Sequence, residues 1–272
     1  MDLGLEGKRA IVTGGSLGIG KAIARELARE GADVAIVART KETLEAAAKE
    51  LAAETKRRVI ALACDVTSKA QVDAMVAQAA AQLGGLHILV NSGSPPGGAA
   101  TATGPIETVV DEDLLQDFNV KFVGALRCAR AAIPYMKQQA WGRIINISGL
   151  NARNAGNLSG GARNTSLVHF TKTLAVQLGR FGITVNCIHP GVTRTERTPR
   201  LLASRGKELG VDPAEVEKSD FAPDSPRGNA IGRMVDASEI GYVTAFLASD
   251  KAWAISGELI VASGGAGRSV FY

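Results

Sequence analysis

The residues Thr13-Gly14-Gly15-Ser16-Leu17-Gly18-Ile19-Gly20 form a turn nearly free of side chains between an apolar run, Arg9-Ala10-Ile11-Val12, and a helical pattern carrying Ile19, Ile23 and Leu27. Glycines at 14, 18 and 20 permit a sharp turn, a close approach of backbone to a pyrophosphate and tight packing of helix on strand. The first N–H groups of the helix then point at the anion. The chemistry of this stretch is phosphate binding, with Gly14, Ser16, Gly18, Ile19 and Gly20 at the ligand. A second apolar run, Val34-Ala35-Ile36-Val37, completes a strand-helix-strand unit, the context that gives a glycine pattern of this kind its meaning. Gly15 to Lys21 also fits the opening of a nucleoside-triphosphate loop. Ala22 follows the lysine, however, where a hydroxyl would have to hold magnesium, and that reading is set aside.

Such a loop needs a sheet to hold it. Short apolar runs near 8–13, 33–38, 58–63, 86–91, 142–147, 183–188 and 258–262 alternate with helical patterns, which predicts an α/β fold on a parallel sheet covered on both faces. Val72, Met75, Val76, Ala79 and Leu83 mark the inner face of one covering helix. Ligands of such a sheet bind at the C-terminal ends of the strands, where the strand order reverses. Regularity stops at 193–230, which holds Pro199, Pro213, Pro223 and Pro226 directly after a strand that ends at that crevice. We read it as a lid or substrate loop on a single domain spanning 1–272.

Composition removes other classes of function. At 272 residues, with 46% hydrophobic and 21% charged residues, the chain supports one core, and it contains no apolar run of membrane-crossing length. The N-terminus has neither a basic start nor a long apolar segment, so the expected location is the cytoplasm. Cys64, Cys128 and Cys187 lie far apart in apolar surroundings and read as reduced core thiols. The net charge of +4 is scattered without a basic stripe, which argues against nucleic acid. His87, His169 and His189 lack metal-ligand spacing, so no metal is expected. His169 falls on the apolar side of a long helix and is expected to pack. His189, at the end of the sixth strand, is expected to be buried and hydrogen-bonded.

Several motifs together resemble the short-chain dehydrogenase/reductase family over essentially the full length. They are the loop Thr13–Gly20, the pair Asp65-Val66, the segment Asn91-Ser92-Gly93-Ser94, Asn119, the strand Gly142-Arg143-Ile144-Ile145-Asn146-Ile147-Ser148, the stretch Asn186-Cys187-Ile188-His189-Pro190-Gly191, and Ser256-Gly257. The resemblance implies a Rossmann-like, doubly wound, seven-stranded sheet, a nicotinamide cofactor, a small-molecule carbonyl or alcohol substrate, and a homodimer or homotetramer. It further implies that Asp65 and Val66 meet the adenine, Asn91 and Gly93 the adenine ribose side, and Pro190, Gly191, Val192 and Thr195 the nicotinamide side.

The resemblance breaks at the proton-handling residues. Aligned on Phe170-Thr171-Lys172-Thr173-Leu174-Ala175, Gly160 stands where the family has its tyrosine and Asn164 where it has its lysine. Glycine has no proton to give, and an amide neither titrates nor carries charge. Gly149 holds the usual serine place, next to Ser148. Asn119 alone remains as the family has it. A one-residue shift offers Ser159 and Arg163 at the same four-residue spacing, so the catalytic candidates are Asn119, Ser148, Ser159 and Arg163. The plain alternative makes Ser159 a helix cap and Arg163 a solvated cation.

At the end of the second strand, Ala38 replaces the acid that would grip both ribose hydroxyls of NAD. Arg39 follows it, and a guanidinium there suits a 2′-phosphate, so NADP is expected over NAD. Three functions stay open: an NADP-dependent oxidoreductase whose proton donor is lost or moved, a non-redox enzyme on this scaffold, and a catalytically silent subunit of an active homologue.

Overall fold

The computed structural model describes residues 1–94 and 97–267. Strands β1 (Arg9–Thr13), β2 (Asp33–Ala38) and β3 (Val59–Ala63) alternate with helices α1 (Gly18–Arg29), α2 (Lys41–Thr55) and α3 (Lys69–Leu83). Next come β4 (Ile88–Asn91), α4 (Asp111–Phe118), a π-helical turn over Asn119–Val123, α5 (Gly124–Gln138), β5 (Gly142–Ile147), α6 (Leu158–Leu178) and β6 (Ile183–Pro190). After these follow β7 (Thr193–Arg194), α7 (Thr198–Leu209), α8 (Pro213–Asp220), β8 (Val235–Asp236), α9 (Ala237–Ala248) and β9 (Leu259–Ala262).

The seven long strands form one parallel sheet in the order β3-β2-β1-β4-β5-β6-β9. The chain reverses its direction of winding between β1 and β4, and there the crevice opens. Strand residues alternate between the two faces. Val12, Ile36 and Val90 pack with Ile23, Leu27 and Ile240 on one side, while Ile11, Val37 and Leu89 pack with Met75, Cys128 and Leu174 on the other. Register brings Thr13 level with both Val37 and Asn91, and Asn91 level with Asn146, so the ends of four strands share one rim. The predicted strands lie within two residues of the observed ones.

Residues 193–230 are not a bare loop. They carry α7 and α8, packed on their own small core of Leu202, Val216, Phe221 and Met234 and tied by two hydrogen bonds from Arg205 to the Asp220 carboxylate. The strands β7 and β8 fasten this unit to the rim as a separate two-stranded sheet. All three cysteines are free and buried. His169 departs from expectation: its position on α6 is exposed, because the inward face of that helix runs through Leu167, Thr171 and Leu174. Among the described residues no helix is long and apolar enough to cross a membrane, and no group of three or more His, Cys, Asp or Glu side chains is placed to hold a metal.

Candidate active site

Thr13, the last residue of β1, joins the glycine loop to its neighbour strand. Its Oγ1 accepts from the backbone N–H groups of Ser92 and Gly93, both at 3.0 Å, and donates to the carbonyl of Val90. Gly14 adopts φ +68, and a methyl group added there would fall 2.7 Å from the Ser92 carbonyl oxygen. A methyl at Gly20 would fall 2.7 Å from the Gly14 carbonyl carbon and closer still to its oxygen. Helix α1 begins at Gly18 without a side-chain cap, so its first N–H groups face the crevice. A carboxylate from the 193–230 segment, that of Glu196, sits on the Gly18 N–H at 2.9 and 3.1 Å. An anion therefore already occupies the helix N-terminus, with the charge type that a pyrophosphate would bring.

From this point a cleft of about 450 Å³ runs across the strand ends, lined by Gly14, Ser16, Gly18, Ile19 and Gly20 on one wall and by Pro190, Gly191, Thr193 and Thr195 on the other. An adjoining cavity of about 290 Å³ is lined by Ala38, Arg39, Asp65, Val66, Gly93 and Arg197. Asp65 Oδ1 accepts from the Thr67 backbone N–H and hydroxyl. Those bonds, with the Arg39 and Arg127 charges, hold its carboxyl below the usual range. Asn91 donates to Asn146 Oδ1 at 2.9 Å, and Asn146 donates to Thr171 Oγ1, which locks β4, β5 and α6 together. Among the described residues Asn91 Oδ1 and Asn164 Oδ1 are buried without a donor. The close-packed glycine cradle, the anion seat and these open acceptors fit a dinucleotide. Of the residues expected to hold it, Asn91 and Val192 line neither space: Asn91 is buried at the sheet rim, and Val192 is half exposed and used through its carbonyl, which accepts from the Val235 N–H.

At the far end of the cleft the structure divides the four catalytic candidates. Ser148 and Arg163 line it; Asn119 and Ser159 lie behind it. Ser148 Oγ donates to the Asn164 carbonyl at 3.0 Å. Asn119 Oδ1 accepts from Arg127 at 2.9 Å, which braces the π-helical turn. The reading of Ser159 as a cap and Arg163 as a solvated cation is corrected on both counts. Asn157 caps α6, accepting from Gly160 N at 2.6 Å, while Ser159 is buried and donates to Asp117 Oδ2 at 2.5 Å. Arg163 is 3% exposed, donates to Ser94 Oγ and lies 3.8 Å from Asp117 Oδ1. One turn of helix packed on α4 was enough to take both groups out of water.

Gly160 and Asn164 sit at this same end. A methyl at Gly160 would meet Asn151 Nδ2 at 2.5 Å and Asn157 Oδ1 at 2.8 Å, and one at Gly149 would meet Asn164 Nδ2 at 2.8 Å. The asparagines thus fill the space that larger side chains would need. His189 is fully buried and its Nδ1 accepts from Gly149 N at 3.2 Å, as expected. Burial, with the Arg153 and Lys121 charges, pulls its pKa down to about 4.

Lys121 was missed by the sequence reading. It is the middle residue of the π-helical turn, and its Nζ donates to the Ser148 carbonyl at 3.1 Å from within the cleft. The available signal was a lysine amid Val120, Phe122 and Val123. An α-helical spacing gives no direction for a side chain on a turn with one extra residue.

With this geometry in hand, the known proteins can be set beside it. The family model for the short chain dehydrogenase matches residues 8–205. The short-chain reductase protein NovJ of Streptomyces niveus is 32% identical over 94% of this chain and 92% of its own length. The NADPH-dependent reductase BacG of Bacillus subtilis is 31% identical over 97% of this chain and 99% of its own. The solved structure of L-sorbose reductase from Gluconobacter frateurii, complexed with NADPH and L-sorbose, superposes with a TM-score of 0.90 at 31% identity, covering 99% of this chain and 100% of that one. On the family model and on these relatives, the chain belongs to the short-chain dehydrogenase/reductase family of NAD(P)-dependent oxidoreductases.

Proposed function

We propose that the protein is an NADP(H)-dependent enzyme interconverting a carbonyl and an alcohol on a small-molecule substrate, with NAD(H) the weaker cofactor. The observation that carries this reading is Arg39, which lines the adenosine-side cavity directly after Ala38, with no acid there to repel a 2′-phosphate. The NADPH dependence named for BacG and the NADPH complex of the sorbose reductase support it. When bound, the cofactor supplies the hydride. The chain holds the dinucleotide with the Gly14–Gly20 loop, Asp65, Val66, Asn91, Gly93, Pro190, Gly191 and Thr195. Ser148 and Arg163 face the substrate, Ser159 fixes Arg163 through Asp117, and Asn119 braces the turn beneath them.

Gly160 and Asn164 favour a second reading, a silent subunit that binds cofactor without turnover. Titration with NADPH and NADH, followed by hydride transfer to a panel of ketones and alcohols, tests both. Binding with a preference for NADPH and measurable turnover supports the enzyme; binding without turnover, and co-purification with an active homologue, supports the subunit. We further assign a homodimer or homotetramer, on the strength of Leu115 on α4 and Val176 on α6, which stand 67% and 76% exposed. The three buried free thiols suit a reducing compartment, and we assign the cytoplasm.

A further inference from the structure

We propose that the Lys121 ammonium is the proton donor to the substrate oxygen, the task that Gly160 and Asn164 cannot perform. The inference rests on the oxidoreductase reading above. Three observations place Lys121 there. Its Nζ reaches the end of β5, where it donates to the Ser148 carbonyl, and it lines the cleft beside Ser148, Gly149, Arg163 and Asn164. It stands on a π-helical turn, an irregularity that redirects side chains and is frequent at functional sites. The acid that faces it, Asp117, is already held by Ser159, the Ala99 N–H and Arg163, so the ammonium keeps protons to give.

The groups facing Lys121 set its proton affinity. Burial disfavours its charge, and Arg163 of α6 repels it. Asp117 of α4 acts the other way, while the buried Cys187 thiol of β6, pushed up to about 12, is neutral over this range. The balance brings the ammonium from its usual value down to about 7. His189 of β6 also faces it and is held neutral over this range. A donor is most effective when its pKa lies near the working pH, and burial readily shifts a lysine downward toward it. The step balances. The Nζ–H bond breaks and an O–H bond forms on the substrate oxygen, while the carbon takes a hydride from the reduced nicotinamide, which is oxidised as the carbonyl is reduced. The amine left on Lys121 recovers its proton from water.

The test uses the full chain with lysine labelled with ¹³C at the ε carbon, titrated by NMR without cofactor; the Lys121→Met spectrum assigns the signal. A midpoint near 7 is expected, moving upward in Arg163→Met, and a midpoint above 9 overturns the proposal. In parallel, NADPH affinity and reduction of ethyl acetoacetate and 9,10-phenanthrenequinone are measured for the unmodified protein, Lys121→Met and Lys121→Arg. Lys121→Met should bind NADPH within about threefold of the unmodified protein and lose roughly 10²- to 10⁴-fold in kcat/KM. It should also lose the fall in activity above pH 7. Lys121→Arg should keep the hydrogen bond to Ser148 yet recover little of the rate. Activity in Lys121→Met above half of normal, or full rescue by arginine, shows that the lysine only braces β5. Failure of the unmodified protein to bind NADPH strikes the oxidoreductase reading instead, and the NMR midpoint still decides the lysine.

Discussion

Replacing Gly20 by alanine is the sharpest test of the phosphate cradle, because it adds one methyl group where two backbones already touch. Gly20 is helical, so alanine brings no conformational strain and would otherwise favour the helix by about 0.5–1 kcal/mol. The methyl, however, falls 2.7 Å from the Gly14 carbonyl carbon. Neither backbone can move independently, since Gly14 N is bonded to Val37 at 2.7 Å and α1 is packed on the sheet through Ile23 and Leu27. Overpacking of this kind costs about 1–3 kcal/mol, and for a chain of this size each kcal/mol lowers Tm by about 2–4 °C. The same displacement tilts the N–H groups that meet the anion, and losing one charge-assisted bond weakens NADPH binding by about ten- to a hundredfold. Gly14→Ala adds a left-handed backbone at φ +68 to a 2.7 Å contact with Ser92 and should be worse. Gly18→Ala, left-handed at φ +59 but 3.7 Å from its nearest neighbour, should be milder on stability, at about 1–2 kcal/mol. Thermal melts and cofactor titration by fluorescence decide the order. A Gly20→Ala protein with unchanged Tm and unchanged affinity refutes the packing argument, as does a Gly18→Ala protein less stable than Gly14→Ala.

Arg39→Ala should reduce the preference for NADPH over NADH by about five- to thirtyfold, the lower part of the range for a charged contact because the residue is exposed, and the effect should shrink in high salt; paired titrations check it. His87 and His189 both have folded pKa values near 4 against 6.5 when unfolded. The unfolded chain therefore binds more protons between those values, and stability should fall with pH from about 6.5 to 4, by at most about 1.4 kcal/mol per unit for each group. Melts across that range should show the slope, and His189→Gln should roughly halve it, leaving the share of His87. Phe221→Ala should empty the small core beneath α7 and α8, so limited proteolysis within 193–230 should quicken while the Tm of the main sheet barely moves. Light scattering should give a dimer or tetramer, and Leu115→Glu with Val176→Glu should yield monomer.

The parts of the molecule that obey a short-range rule were open to reading from the chain. Apolar runs located all seven long strands, and three glycines located the anion seat, since each depends on a local pattern and on backbone sterics. The far end of the cleft depends on contacts between distant elements. Ser159 and Arg163 stand on α6 as expected, but their burial comes from Asp117 on α4, more than forty residues earlier. The direction of Lys121 comes from one surplus residue in a helical turn, which has no sequence signature of its own. The proline-rich stretch at 193–230 suggested irregular chain, yet Pro199 and Pro213 fall at the first turns of α7 and α8, where a missing N–H costs nothing.

If NADPH binds at the N-terminus of α1 as proposed, the Glu196 carboxylate held there would give its entry a kinetic order of its own. A tethered anion acts at an effective concentration in the millimolar range or above, so an incoming phosphate meets a competitor that diluting the protein does not remove. The apparent affinity would then scale with the fraction of molecules in which Glu196 has left the Gly18 N–H. The observed rate of NADPH association should then level off at the rate of Glu196 release as cofactor concentration rises, instead of climbing in proportion. Glu196 is followed by Arg197, which lines both the cleft and the adjoining cavity, so phosphates arriving there would exchange with an anion while a cation on the same segment stayed beside them. Entry of the dinucleotide and rearrangement of the 193–230 segment would thereby become one event.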